Sequence, residues 1–292
     1  MSLFEQIFSV IHKRFRTLLG FSVDPIISVD EHEDKSSNEF VLSYDDLIFN
    51  PMIRKYFNSG FYNVGYWEEG IPTQKLACHK LVDKLLSFVI QEPKTVLDVA
   101  CGFGATTKKL KDRWSESQVV GINFSERQIQ RCCENTPLCS FKVMDATKLT
   151  FGDSQFDLLM SVEAAFHFNT RRDFILEASR VLKPSGHLIL TDIIFNHLNL
   201  SDSWLVPQCN HLDNIRDYEI LLAETGFDNI YLEDATDLCW KSFCNNLETW
   251  VDAEYSLGKV EHKEWQNWKA SLPILINDVR HYMIISATKI SS

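Results

Sequence analysis

From residue 95 onward the chain alternates short apolar runs with longer stretches whose apolar positions recur at helical spacing. The runs at 95–99, 118–122, 141–144, 156–160 and 188–191 are too short for helices, and turn residues bound them. Helical segments separate most of these runs. That order predicts parallel strands in one sheet with helices on both faces. Two further strands are expected at 229–232 and 282–288. Between them, residues 240–280 read as helical and carry Trp240, Trp250, Trp265 and Trp268. These tryptophans fit either an added helical layer or an aromatic wall of a substrate pocket. Near the start, Phe4, Ile7, Phe8, Ile11, Phe15, Leu18 and Leu19 fall on one helical face, with Lys13, Arg14 and Arg16 at its basic end. This predicts a helix over 2–19 that packs as a cap or docks on a membrane surface or a partner protein. An acidic, polar connector follows at 30–39.

Composition narrows the picture. A chain of 292 residues with 45% hydrophobic residues can bury a core without cross-links, as one large domain or one domain with an elaborated cap. We divide it into a helix and linker at 1–40 and a main domain at 41–292. The latter carries an N-terminal cap at 41–90 and a late helical insertion at 240–280. A net charge of −11 opposes nucleic-acid binding, which rewards dense lysine and arginine. The eight cysteines show no Cys-x-x-Cys and no zinc spacing, so no metal site is expected. Scattered thiols, no apolar run of membrane-spanning length and no signal-peptide pattern predict a cytoplasmic protein. The oligomeric state is left open.

The strongest chemical signal is the segment Val96-Leu97-Asp98-Val99-Ala100-Cys101-Gly102-Phe103-Gly104. An apolar strand ends in a small-residue turn, and a helix begins near Ala105. Glycines in such a turn let the backbone approach a ligand closely. Asp98 at the strand end is a poor neighbour for a phosphate and a good one for an ammonium.

This segment resembles motif I of class I S-adenosylmethionine-dependent methyltransferases. Val120-Gly121-Ile122-Asn123-Phe124-Ser125 resembles the end of their second strand, 141–146 the third, and Arg180-Val181-Leu182-Lys183-Pro184-Ser185-Gly186 the loop before the fifth. The resemblance spans roughly residues 62–192. It implies an α/β, Rossmann-like sheet of seven mostly parallel strands, helices on both faces, an antiparallel last strand and an added helical cap. It also implies S-adenosylmethionine as cofactor and S-adenosylhomocysteine as product. Gly102 and Gly104 would pass beneath the cofactor, with Asp98 near its methionine amino group. Asn123 would meet the ribose hydroxyls, where the commonest pattern has a carboxylate. Asp145 and Ala146 would flank the adenine. Gln128 resembles the ribose-binding glutamine of mycolic-acid cyclopropane synthases. Tyr62 and Asn63 match the Tyr-Ser pair that closes over the cofactor in those enzymes. Ala100, Phe124 and Val162 complete the expected cofactor contacts.

Methyl transfer from a sulfonium is an in-line displacement, and an alcohol acceptor also needs a group to take its proton. His167 stands just past strand four and Asp192 at the tip of strand five, where ligands bind in open α/β sheets. The arrangement resembles that of sugar and macrolide tailoring O-methyltransferases of the erythromycin and rebeccamycin kind, in which a histidine and an acid assist deprotonation. It implies His167 as base and Asp192 as its partner. As alternatives, Asp192 could cap a helix or fix a loop, and Glu163 could hold a loop through backbone hydrogen bonds. The expected substrate is a hydroxyl of a small natural product: a polyketide, a peptide–polyketide hybrid of the microcystin kind, or a sugar. The alternatives are N- or C-methylation of a small amine, sterol or quinone, and a methyltransferase-like partner protein without catalysis.

Overall fold

The computed structural model describes residues 44–46, 48, 49, 51–196 and 206–291. The amphipathic stretch at 2–19 and the connector at 30–39 lie outside the described residues. After a helical turn at 44–46 come two helices, α1 (Pro51–Phe57) and α2 (Gln74–Leu86). Thr73 caps α2 by accepting from the Leu76 amide, and Ala77, Cys78, Leu81, Val82 and Leu85 form its buried stripe.

Next come β1 (Thr95–Val99), α3 (Ala105–Arg113), β2 (Gln118–Asn123), α4 (Glu126–Asn135), β3 (Ser140–Val143) and β4 (Phe156–Val162). They are followed by α5 (Arg171–Val181), β5 (Leu182–Phe195), α6 (Ile215–Glu224) and β6 (Phe227–Asp234). A π-helical turn (Asp237–Lys241) leads into α7 (Ser242–Ser256), α8 (His262–Asp278) and β7 (Val279–Lys289). All seven expected strands form, with ends shifted by a few residues. The largest difference is β5, which starts six residues early because the loop before it joins the sheet through a register shift.

The sheet order is β3-β2-β1-β4-β5-β7-β6, with β7 antiparallel to both neighbours and the β1–β5 pairs parallel. Strand periodicity of two sorts the apolar side chains onto two faces. Val96, Leu158, Met160, Ile189 and Ile284 pack with α2 and the late helices; Leu97, Leu159, Leu188, Leu190 and Ile285 pack on the other face with α5 and α6. This is the Rossmann-like class I methyltransferase fold.

The tryptophans resolve as packing. Trp240 and Trp268 are buried in the first core, and Trp250 and Trp265 lie at its margin. The Trp240 ring N–H donates to the Leu275 carbonyl and that of Trp265 to Asp252, tying α7 and the turn before it to α8.

Candidate active site

The ends of β1, β2 and β4 open into a cavity of about 500 Å³. Tyr62, Asn63, Ala100, Gly102, Asn123, Phe124, Gln128, Asp145, Ala146, Val162 and His167 line it together. Asp98, Gly104 and Asp192 do not.

The turn after β1 explains part of this division. Ala100, Gly102 and Gly104 all have positive φ, at 59°, 56° and 83°. A Cβ built on Gly102 would enter open space, so the missing side chain leaves the backbone bare toward the cavity. Gly104 has a different reason. A Cβ there would meet the Phe141 ring at 3.2 Å and Cys132 at 3.4 Å, so this glycine seats the turn against β3 and α4. Asp98 is 1% exposed and accepts from Thr107 Oγ1 at 2.6 Å. Burial pushes its pKa up to about 7, against the pull of that hydrogen bond.

At the end of β2 the side-chain amides interlock. Asn123 Nδ2 donates to Gln128 Oε1 at 2.9 Å, and Asn123 Oδ1 accepts from the Ser125 amide at 3.0 Å. Asp145 Oδ1 accepts from both the Thr147 amide and hydroxyl at 2.8 Å, which fixes the loop after β3. From the opposite wall, Asn63 presents a buried side-chain oxygen with no hydrogen-bond partner. Its backbone carbonyl is held by Gln74 and Cys78. A buried amide left unpaired costs about 1–3 kcal/mol unless a ligand satisfies it. Together with the bare backbone at Gly102, it fits a cofactor that carries polar groups along this wall.

His167 lies in the short 3-10 turn Ala165–His167 that follows β4. Its ring packs on Phe166, with centroids 4.0 Å apart, and edge-on to Tyr44 at 5.9 Å. Glu163 shares the same wall, with φ of 53°. Its Oε1 accepts from Tyr282 Oη at 2.6 Å and from the Val64 amide at 2.9 Å. Burial pushes its carboxyl up to about 7, although both hydrogen bonds favour the ionised form. The loop-holding alternative for Glu163 is thus realised.

Asp192 requires a correction. It is fully buried, and both oxygens are taken. Oδ1 accepts from the Phe166 and Ile193 amides, and Oδ2 from Arg171 Nε at 2.6 Å and Tyr218 Oη at 2.8 Å. The expected partner of His167 is instead a buried ion pair that anchors the turn bearing His167. Sequence reasoning passed over Tyr44 and Asp45 altogether. Neither carries a local motif, and the fold alone brings them to the site.

Residues 97–190 match a family described as a methyltransferase domain. With the fold, this makes residues 97–190 a methyltransferase domain of the class I, S-adenosylmethionine-dependent kind. Among curated proteins the chain is similar to the erythromycin 3''-O-methyltransferase of Saccharopolyspora erythraea, 29% identical over 70% of this chain and 71% of the relative. It is also similar to an O-methyltransferase of Pyrenophora dematioidea, 29% identical over 58% of this chain and 68% of the relative. Among solved structures, the cyclase SpnF superposes with a TM-score of 0.67 at 21% identity, covering 85% of this chain and 95% of that one. The cyclopropane synthase MmaA2 from Mycobacterium tuberculosis gives 0.66 at 15% identity, covering 82% and 95%. Such neighbours speak for the fold, which hosts more than one reaction. No helix among the described residues is long and apolar enough to cross a membrane.

Proposed function

We propose that the protein methylates a hydroxyl oxygen of a small natural product, such as a polyketide, a peptide–polyketide hybrid or a sugar, with His167 as general base. The observation that carries the reading is the placement of His167 on the same cavity as the bare turn at Gly102 and the amides of Asn123 and Gln128. When bound, S-adenosylmethionine supplies a methyl on a positively charged sulfur that leaves as a neutral thioether. Gly102 would let it approach the backbone, Asn123 and Gln128 would hold its ribose, and Asp145 and Ala146 would flank its adenine. His167 would take the proton of the acceptor hydroxyl at the cavity wall. The ring contacts of Phe166 and Tyr44 hold the imidazole at the wall, and Asp192 fixes its turn from beneath. The curated relatives named as O-methyltransferases favour oxygen over nitrogen or carbon as acceptor. Free thiols at all eight cysteines agree with a cytoplasmic location.

The test is turnover with labelled S-adenosylmethionine against a panel of hydroxylated natural products. With an accepted substrate, His167→Ala should lower turnover by about 10²–10⁴ while leaving S-adenosylhomocysteine affinity nearly unchanged. The wild-type rate should rise with pH through an imidazole titration, and that limb should vanish in the variant. A variant that keeps most of its turnover and the same limb would remove His167 as the base.

A further inference from the structure

In the resembling family a carboxylate commonly stands at the end of β2, and this chain has Asn123 there. A carboxylate nevertheless reaches that corner, delivered from 80 residues away by the turn at 44–46. Asp45 is 4% exposed. Its Oδ1 accepts from Gln128 Nε2 at 2.7 Å, and its two oxygens share the Ser125 hydroxyl at 2.9 and 2.7 Å. Neighbouring contacts hold the same turn in place. Asp46 lies 3.6 Å from Arg127, and the Phe49 ring packs on Phe103 at 4.8 Å between centroids.

The chemistry of this corner is a chain of forced choices. An ionised carboxylate only accepts hydrogen bonds. Asp45 therefore draws the NH₂ side of the Gln128 amide toward itself. Gln128 Oε1 is then turned to Asn123, which must answer with Nδ2. That leaves Asn123 Oδ1 for the Ser125 amide. The Ser125 amide, which can only donate, fixes the Asn123 end, so the relay is held from both sides. Without Asp45 the Gln128 NH₂ loses its acceptor and that end comes loose. With the order fixed, Asn123 keeps one N–H and one oxygen lone pair uncommitted, and it lines the cavity. A donor beside an acceptor matches two adjacent hydroxyls, one of which accepts while the other donates. A carboxylate at this position would offer acceptors alone.

We propose that Asp45 is a positioning residue for the cofactor's ribose, holding the Gln128 and Asn123 amides in the one order that presents a donor and an acceptor to a vicinal diol. The inference rests on the reading of the cavity as the S-adenosylmethionine site. It makes the cap a working part of that site, because the carboxylate that anchors the Gln128 end of the relay comes from the cap.

Calorimetric titration of the full chain with S-adenosylhomocysteine tests it, alongside the analogue that lacks both ribose hydroxyls. Asp45→Ala should weaken S-adenosylhomocysteine binding roughly 10- to 100-fold, the range for losing a hydrogen bond to a charged group. Against the dideoxy analogue the same variant should match wild type within about threefold. Asp45→Asn retains an oxygen that accepts from both Ser125 and Gln128, so it should recover most of the affinity. Asp45→Ser keeps a hydroxyl near Ser125 but is too short to hold Gln128, and should show the same diol-dependent loss. It serves as the test if Asp45→Ala fails to fold. Equal losses for both ligands would mean that Asp45 only supports the cap, and that result overturns the inference. So would an Asp45→Ala variant that binds S-adenosylhomocysteine as wild type does. Failure of the wild-type protein to bind S-adenosylhomocysteine would instead overturn the reading of the cavity, and this inference with it.

Discussion

Replacing Glu163 by glutamine should remove a pH-dependent loss of stability. In the folded protein the carboxyl takes up its proton at about 7, against 4.5 for an ordinary glutamate. Between those values the native state holds a proton that the unfolded chain has released. The stabilisation from this group is therefore complete below about 4.5 and lost as pH rises through about 7. At 1.36 kcal/mol per unit of pKa, the gap sets a ceiling of about 3 kcal/mol. The true figure falls below it, because one side of the carboxyl faces the cavity, where water can enter. Glutamine keeps the oxygen that Tyr282 and Val64 donate to and cannot ionise. Wild type and Glu163→Gln should thus be closest in stability at pH 5, where only a small part of the gap has opened. By pH 8 the variant should be the more stable by up to the ceiling, with the gap opening mostly between pH 5 and 7. Urea unfolding of the ligand-free proteins at pH 5, 6, 7 and 8 measures it. Asp98, also raised to about 7, titrates in both proteins and cancels. A difference that stays flat across this pH range would refute the argument.

Gly102→Val should abolish S-adenosylhomocysteine binding by calorimetry while leaving the far-UV spectrum largely intact, since its side chain enters space that the backbone leaves bare and strains the turn at a φ of 56°. Retained affinity would remove this turn from the cofactor site. Asp192→Ala should destabilise the protein by about 3–5 kcal/mol, because it strands the buried Arg171 guanidinium. Denaturant unfolding would show it, and a loss below 1 kcal/mol would contradict the structural role.

The strands, the turn after β1 and the position of His167 were legible because each is written in neighbouring residues: a period, a glycine spacing, a strand end. Three assignments were not recoverable that way. Gly104 and Gly102 look alike in sequence, yet one avoids Phe141 and Cys132 while the other leaves the cavity open. Asp192 at a strand tip reads as an acceptor-side acid until Arg171 and Tyr218 are seen closing over it from α5 and α6. Asp98 likewise sits at the expected strand end, but its side chain is buried and held by Thr107. Asp45 left no trace, because its partners are 80 residues or more away and nothing near it announces a turn that folds back.

The position of β7 bears on how the protein comes to be made. It fills the slot between β5 and β6, although both of those strands precede it in the chain. Until residues 279–289 have left the ribosome, β5 carries an open edge from His187 to Phe195 rich in isoleucine and leucine, and β6 has no sheet to join. Such edges recruit other strands, including those of neighbouring nascent chains. A strand flanked on both sides in the finished sheet is therefore the one whose lateness leaves the growing protein most exposed. Substitutions that slow the entry of β7 should act first on the yield of folded protein.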